Sequence, residues 1–161
     1  MTLNDPRTDS ELDAIEAQID AWLKRQLDEN PILVAVDRGE PGERRWYVRL
    51  RGEEKDFTTI WLTLGQRTLQ YETYVMPAPE ENEAQFYEHL LRRNGKLVGA
   101  QFCIGAENAV YLVGAFPAGA LQDPNVADGE LDRIVGSVYA CVEQCFRPAL
   151  RIGFASRFRS T

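Results

Sequence analysis

The sequence predicts a single α+β domain with a mainly antiparallel sheet and the element order α-β-β-β-β-α-β-β-α. Three observations lead to this prediction. Residues 44–76 form three strand-like runs that are separated by turns of hairpin length. Residues 97–116 contain two further apolar runs around a short turn. Segments with helical spacing precede, interrupt and follow these strands, which is typical of helices packed on an antiparallel sheet.

The first helix is predicted between Ser10 and Asn30. Ser10 has the chemistry of an N-cap, and Glu11 and Asp13 lie favourably in the first turn. Pro31 disfavours helix in the residue before it, so the helix should end near Asn30. Apolar residues at helical spacing predict one core-facing stripe, formed by Leu12, Ile15, Ile19, Trp22 and Leu23.

The next four elements are predicted to be strands over residues 32–36, 44–51, 57–64 and 68–76. Residues 44–51 alternate, with Trp46, Val48 and Leu50 on one face and polar or aromatic residues on the other. A period of two is typical of a half-buried strand. The last three of these strands therefore form a meander with one face on the core.

The second helix is predicted to begin at Asn82, in a capping box with Gln85, and to end at Gly95. Two strands follow over residues 97–104 and 109–116. They are nearly continuous in small and aliphatic residues, which suits strands covered on both faces or lying under a helix. Their glycines allow bulges or close backbone approach; these are Gly99, Gly105 and Gly114.

The last helix is predicted to begin at Asp128, as its N-cap, and to end at Pro148. Its apolar residues predict a broad buried face, formed by Leu131, Ile134, Val135, Val138, Val142 and Phe146.

The length of 161 residues fits one domain with a core of its own. We expect a disordered N-terminal tail over residues 1–9, a single domain over residues 10–154 and a basic C-terminal tail over residues 155–161. The formal net charge of −7, from 25 acidic and 18 basic residues, argues against general binding to nucleic acid or to an anionic membrane.

The chain has no apolar run of about 18 residues, which a membrane-spanning helix would need. Its first residues are polar and acidic and do not resemble a signal peptide. We therefore expect a cytoplasmic protein.

The three cysteines and the single histidine form no recognisable reactive or metal-binding motif. Cys141 and Cys145 lie four residues apart in the last predicted helix, and Cys103 lies in an apolar strand. We interpret all three as buried structural thiols, with a redox role as the alternative. His89 has no nucleophile placed beside it by a motif, and we interpret it as structural. The sequence thus predicts no catalytic residue, no metal site and no cofactor, in a protein that is not an enzyme.

The residues that alternate with the core positions of residues 44–76 predict an interaction surface. The residues expected to face outward are Arg45, Tyr47, Arg49, Phe57, Trp61, Gln70, Glu72 and Tyr74. Aromatic residues and arginine are enriched in binding hot spots. The candidate partner-binding residues are therefore Tyr47, Trp61, Tyr74, Arg45 and Arg49. The alternative is that a helix or the arginine-rich tail covers these rings, and the acidic balance of the chain disfavours stacking of nucleic acid on them.

The two ends of the chain differ in charge. Residues 5–29 contain eight acids and three bases, which gives −5, whereas residues 147–161 contain four arginines and no acid, which gives +4. As a hypothesis, the two segments pair, within one subunit or across a dimer, and this pairing orders the tail. The alternative is two solvated segments, because surface ion pairs are individually weak.

Two segments carry a resemblance to a known family. They are residues 87–117, YEHLLRRNGKLVGAQFCIGAENAVYLVGAFP, and residues 130–146, ELDRIVGSVYACVEQCF. With the element order, they resemble the bacterial YbjN domain family over about residues 10–154. The resemblance implies a domain, often dimeric, whose fold is similar to that of the small class I chaperones of type III secretion systems. It also implies a protein that holds another polypeptide rather than catalysing a reaction, and it supplies no catalytic residue.

We therefore expect a non-enzymatic protein-binding domain with a chaperone-like or regulatory role. Its partner would be another protein or a second copy of itself in a homodimer, and neither nucleic acid nor a membrane. The alternative is a small-molecule-binding regulatory domain. Its ligand would lie between the last helix and the sheet, in a pocket lined by Cys103, Val138 or Cys141.

Overall fold

The helices and strands follow the predicted order in the computed structural model of the chain, which describes residues 2–158. They are α1 (Asp9–Glu29), β1 (Leu33–Arg38), β2 (Arg45–Arg51), β3 (Phe57–Leu64), β4 (Thr68–Met76), α2 (Glu83–Asn94), β5 (Gln101–Ile104), β6 (Val110–Pro117) and α3 (Pro124–Gly153). Short 3₁₀ turns lie at Ala106–Asn108, Ala118–Gln122 and Ala155–Phe158. The predicted α+β class is confirmed, whereas the likeness to the secretion chaperone fold stays a prediction.

The strands form one six-stranded antiparallel sheet in the order β1-β2-β3-β4-β6-β5. Because β6 pairs with β4, the short strand β5 lies at the edge of the sheet. The side chain of Asn94 occupies this edge: its Oδ1 accepts from the Phe102 N–H at 2.7 Å, and its Nδ2 donates to the Phe102 carbonyl at 3.1 Å. A side chain that binds edge backbone groups protects them from pairing with another chain.

The core lies between the helices and one face of the sheet. All nine residues of β2, β3 and β4 that were expected to face inward are buried, namely Trp46, Val48, Leu50, Ile60, Leu62, Leu64, Leu69, Tyr71 and Val75. The five apolar residues of the predicted stripe on α1 are buried against them. Burying these side chains is the main favourable term in folding, at roughly 1.5–3 kcal/mol for each large one.

Acidic residues of α1 attach this helix to β1 and β2. Asp20 accepts a hydrogen bond from the indole Nε1 of Trp46 at 2.7 Å and an ion pair from Arg38 at 3.0 Å. Arg44 pairs with Asp13 at 2.7 Å and with Glu16 at 3.0 Å. The acids of the first helix thus bind arginines that precede β2 or end β1.

Within one copy of the chain, two of the C-terminal arginines pair with other acids, so the hypothesis of pairing within one subunit is wrong for them, and pairing across a dimer stays a prediction. Arg147 pairs with Glu54, and Arg157 pairs with Glu80. Arg159 lies outside the described residues.

The division of the chain at residues 9 and 154 stays a prediction. Within the first segment, Arg7 is only 6% exposed. Its guanidinium donates to Gln122 Oε1 and to the carbonyls of Thr2 and Asp5. Met1 and residues 159–161 lie outside the described residues.

The predicted start of α1 is wrong, whereas the start of α2 at Asn82 is confirmed and only its capping box is wrong. For α1 the N-cap is Thr8 and not Ser10, and Thr8 forms a reciprocal capping box with Glu11. For α2 the N-cap is Asn82, but it has a left-handed backbone and no side-chain cap. Its amide instead donates to the Ile152 carbonyl at 2.9 Å, which ties the start of α2 to the end of α3.

Both predicted ends of the last helix are wrong as well. Helix α3 begins one turn earlier, because Asp123 caps it and Pro124 occupies the first turn, where a missing N–H is harmless. It also continues through Pro148. Proline removes the hydrogen bond to the carbonyl four residues earlier, and that carbonyl, of Gln144, accepts from Arg93 Nη2 at 3.5 Å instead.

Gly114 of β6 lies where the sheet and the segment before β5 come closest. Residues 97–100, predicted to be strand, form a loop in which Gly99 has φ +83°. The Tyr71 hydroxyl donates to the Gly99 carbonyl at 2.5 Å. A Cβ on Gly114 would lie 2.2 Å from that carbonyl and 2.3 Å from the Tyr71 ring, so the close approach predicted for this glycine is confirmed.

We expect Gly114→Ala to lower the free energy of unfolding by about 1–3 kcal/mol, because the added methyl group displaces Tyr71 or the loop. Gly136→Ala is the control: its Cβ would meet nothing within 4 Å on the exposed side of α3, and helix propensity should raise stability by up to about 1 kcal/mol. Urea titration of both variants checks this, and equal stability for the two would contradict the packing described for Gly114.

Candidate interaction surface

The side of the sheet opposite the helices is open to solvent over much of its area. We call it the outer face. Its side chains are Asp37, Arg45, Tyr47, Arg49, Arg51, Phe57, Thr59, Trp61, Thr63, Gln70, Glu72, Tyr74, Gln101, Cys103, Tyr111, Val113 and Ala115. All five candidate partner-binding residues lie on it, and the predicted outward orientation is confirmed. None of the described helices covers its rings.

The three tryptophans differ in their surroundings. Trp22 and Trp46 are buried, and their indole N–H groups donate to Asp132 and Asp20. Trp61 is 41% exposed in the middle of the sheet, and Tyr74 on the neighbouring strand is 43% exposed. Large aromatic side chains on an exposed surface mark a contact site more often than a single aliphatic residue does.

Rings and cations of the outer face contact one another across the strands. Tyr47 and Trp61 are directly opposed in register and pack edge to face, with ring centroids 5.4 Å apart. The Arg49 guanidinium lies 3.9 Å from the centre of the Phe57 ring. Such contacts hold the side chains in defined positions before any partner arrives, which lowers the entropy lost on binding.

A cavity of about 550 Å³ opens on the outer face beside Trp61. Two small residues of β6, Gly114 and Ala115, are among those that line it. Its walls carry one guanidinium and one carboxylate, from Arg45 and Glu72. A hydrogen bond with Tyr47 is the main factor that raises the pKa of Arg45 further, so this arginine stays charged. The cavity therefore presents both signs of charge beside an aromatic wall.

The turn between β2 and β3 is fastened to α3 by one carboxylate. The two oxygens of Glu143 accept the backbone N–H groups of Glu53 at 2.9 Å, Glu54 at 2.9 Å and Lys55 at 3.3 Å. The Tyr139 hydroxyl adds a bond to the Arg51 carbonyl at 2.9 Å. These contacts place the turn at the end of the outer face.

Lys55 extends from this turn over the outer face. Its Nζ donates to the Phe57 carbonyl at 2.7 Å and lies 5.8 Å from the centre of the Tyr74 ring. Burial is the main factor that lowers the pKa of Lys55. The anchored turn therefore determines where one cation lies against an exposed ring.

A second, more apolar cavity of about 270 Å³ lies between α2 and β5. Leu90, Leu91, Phe102, Cys103 and Ile104 contribute to its wall. The ligand pocket proposed from the sequence was placed between the last helix and the sheet. There, Val138 and Val142 are buried in the core. The apolar cavity thus shares Cys103 with the expected pocket but lies at the other helix.

The cysteines and the histidine lie apart from the outer-face cavity. Cys141 and Cys145 are buried with their sulfur atoms 3.9 Å apart, and Cys103 is half-buried. The hydrogen bond with Cys145 and burial raise the pKa of the Cys141 thiol. Burial and then the charge of Arg93 lower the pKa of His89, which favours the neutral ring. Within residues 2–158 no three histidine, cysteine or acidic side chains are placed to hold a metal ion.

Two features of this surface were not predicted from the sequence. The role of Glu143 was missed, because its bonds go to backbone groups about 90 residues away and no local pattern reports them. Tyr111 was missed because β6 reads as a continuous apolar run, whereas its ring packs edge to face on Tyr74 at 5.8 Å. Periodicity cannot assign the two faces of such a strand.

The chain was compared with known families and proteins. The family model described as "YbjN: Putative bacterial sensory transduction regulator" matches residues 17–151. Uncharacterized proteins of Mycobacterium tuberculosis and Mycobacterium bovis are each 35% identical to the chain over 109 residues, which is 68% of the chain. An uncharacterized protein of Mycobacterium leprae is 32% identical over 115 residues, or 71% of the chain. The aligned parts cover 57% of the length of the first two relatives and 60% of the third.

The described helices were also examined for membrane-spanning segments. None of the helices in residues 2–158 combines the length and the hydropathy that crossing a bilayer requires.

We expect Glu143→Ala to free the turn over residues 52–56 and to lower the free energy of unfolding by about 1–2 kcal/mol, because three backbone donors lose a charged acceptor. The amides of residues 53–55 should exchange with deuterium faster. Gln144→Ala, at the next and exposed position of α3, is the control. Unchanged exchange in Glu143→Ala would contradict the anchoring role.

Proposed function

The chain belongs to the YbjN family, and we propose that it is a regulatory domain without enzymatic activity that acts by binding a polypeptide on its outer face. The proposed contact residues are Tyr47, Trp61, Tyr74, Arg45 and Arg49. The mechanism is capture of a protein surface by aromatic and arginine side chains that the sheet holds in place.

The observation that carries this proposal is the exposure of Trp61 and Tyr74 on neighbouring strands of one face of the sheet. Each ring would lose a large apolar area to a partner, and central aromatic residues with arginine supply most of the energy in measured interfaces. The neighbouring polar groups are guanidinium, carboxylate and amide groups. They suit hydrogen bonding to a polypeptide.

We expect Trp61→Ala to weaken association, with the partner or between copies, by about tenfold or more, since truncation of a central tryptophan removes a hot-spot contact. The free energy of unfolding should change by less than about 0.5 kcal/mol, because the ring is already exposed. Leu27→Ala is the matched control: this side chain is exposed to a similar degree, 43%, but it lies on α1. Self-association is measured by light scattering. Partner binding is measured by biolayer interferometry with a protein that co-purifies with the chain from its native cell. A loss of stability as large as the loss of association, or equal effects of the two variants, would contradict the interface.

A second candidate function is the binding of a small apolar molecule in the cavity between α2 and β5. Its volume of about 270 Å³ suits a ligand smaller than most drugs. The wall is formed by aliphatic and aromatic side chains, and Asn94 adds an amide beside them. The exposed side chains of Leu91 and Ile104 at its mouth favour an apolar occupant.

Native mass spectrometry of the purified protein tests this candidate. A bound molecule should appear with the wild-type chain and should be lost in Ile104→Trp, because the larger ring enters the mouth of the cavity from an exposed position. The Trp61→Ala variant should retain it. A ligand-free spectrum for protein purified from its native cell would contradict this second function.

A further inference from the structure

We propose that the cavity beside Trp61 binds the C-terminal end of a polypeptide that carries a lysine or arginine close to its terminal carboxylate. This inference rests on the function proposed above and specifies which part of the partner enters the outer face. In the bound state, Arg45 binds the carboxylate, and Trp61 together with Glu72 binds the basic side chain. The bound chain leaves the cavity along the edge of β6 at Ala115.

Arg45 is the carboxylate-binding group of this site. Its Nε donates to Thr63 Oγ1 on the neighbouring strand at 3.2 Å, and the side chain lines the cavity. Among the described residues no acid forms an ion pair with Arg45, whereas the preceding Arg44 pairs with Asp13 and Glu16. A guanidinium whose terminal donors are free binds a carboxylate through two parallel hydrogen bonds.

Trp61 and Glu72 form the site for the basic side chain. They are directly opposed in register on β3 and β4, and both side chains are on the outer face. Directly opposed residues have their Cβ atoms about 4.5–5.5 Å apart. In the part of the chain that the structure describes, no cation lies over the Trp61 ring and no base pairs with Glu72, whereas the exposed rings of Phe57 and Tyr74 each have a cation beside them. A cation held between an aromatic face and a carboxylate is attracted by both.

The edge of β6 beside the cavity has free backbone groups at Ala115. The Gly105 N–H donates to the Ala109 carbonyl at 2.9 Å, so the backbone groups of every second residue from Ala109 onward point toward β5. Ala115 is one of these residues, but the pairing of β5 ends at Gln101 opposite Val113. Its N–H and C=O therefore have no hydrogen-bond partner within residues 2–158.

The segment before β5 is kept away from this edge. The Tyr71 hydroxyl donates to the Gly99 carbonyl, and Gly99 has a left-handed backbone with φ +83°. A Cβ on Gly114 would point to the core side, as Tyr71 opposite it does, and would lie 2.2 Å from the Gly99 carbonyl. The loop thus passes on the core side of β6 and leaves Ala115 open. An extended segment adds to such an edge through main-chain hydrogen bonds.

The dimensions of the sheet determine how much of a polypeptide the cavity takes. Arg45 and Ala115 lie in one row across β2, β3, β4 and β6, which is roughly 14 Å at about 4.8 Å for each strand spacing. Four extended residues span about 13 Å. The amides of Gln70 and Gln101 line this path and suit hydrogen bonding to peptide groups. Glu72 lies two residues, or about 7 Å, to the side of the row, within the reach of a lysine or arginine side chain.

Two other occupants fit this arrangement less well. A single strand of nucleic acid could stack a base on Trp61, but its phosphates would lie near the carboxylate of Glu72. An internal acidic side chain would require the bound chain to continue past Arg45 over β1, where the outward-facing Asp37 adds another negative charge. A terminal carboxylate ends the chain at Arg45 and avoids this contact.

Binding of synthetic peptides to the full chain tests the site. The probe is an N-acetylated peptide that ends in Ala-Lys-Ala with a free carboxylate. One matched probe has a C-terminal amide, and another has alanine in place of lysine. Calorimetry gives the affinities, and NMR of the chain labelled with nitrogen-15 tryptophan follows the indole N–H of Trp61. We expect the first probe to bind and shift the Trp61 signal, and each matched probe to bind about fivefold more weakly or worse.

Variants of the chain assign each end of the probe. Arg45→Gln should weaken binding of the free-carboxylate probe about tenfold and abolish its preference over the amide. Glu72→Gln should abolish the preference for lysine over alanine. Arg51→Gln, an outer-face arginine that does not line the cavity, is the matched control and should change neither preference. The indole signals of the buried Trp22 and Trp46 report whether each variant is folded.

The outcomes separate this inference from the proposed function. A free-carboxylate probe that does not bind at millimolar concentration, or binds no better than its amide, overturns the inference. Equal binding of the lysine and alanine probes, or a preference for the carboxylate that Arg45→Gln retains, overturns it as well. The proposed function survives these results if a protein that co-purifies with the chain from its native cell still needs Trp61 for binding. A single-stranded oligonucleotide that shifts the Trp61 signal, when neither the probes nor a co-purified protein do, overturns both.

Discussion

The packing of all three helices on one face of the sheet is the constraint on which the rest of the structure depends. The inward residues of β2, β3 and β4 alternate strictly with the outward ones, so burying Trp46, Val48 and Leu50 necessarily turns Arg45, Tyr47 and Arg49 to the other side. The acids of α1 then hold this helix by binding Trp46 and the arginines of the first hairpin. The aromatic rings of the outer face are a consequence of this pattern and of the lack of a second covering layer among the described residues.

The elements with a clear period could be predicted from the sequence, and those that depend on distant contacts could not. The strands over residues 57–64 and 68–76 have the predicted bounds, and the predicted apolar stripe of α1 is buried. Both predictions succeed because alternation and helical spacing are local signals. The end of α3 was mispredicted because Arg93 of another helix binds the carbonyl that Pro148 leaves without its usual donor. The capping box at Asn82 was mispredicted because this side chain binds the Ile152 carbonyl near the end of α3. For the site, the outward residues could be predicted, whereas the cavity beside Trp61 is lined in part by residues of β6, which lies about 50 residues away in sequence.

The inner and outer sides of the sheet are connected through one turn. Glu143 and Tyr139 of α3 bind backbone groups of residues 51–55. The turn that is anchored in this way places Lys55 against Tyr74. A helix on the core side therefore helps to position a cation on the outer face.

The central claim is that the outer face is the contact surface of this protein. The most direct test is hydroxyl-radical footprinting over a range of protein concentrations, with and without a protein that co-purifies with the chain from its native cell. The account predicts that oxidation of Trp61 and Tyr74 falls as the complex forms, while Phe158, an exposed ring away from the outer face, reacts unchanged. Equal oxidation of Trp61 and Tyr74 in the free and the associated protein would contradict it.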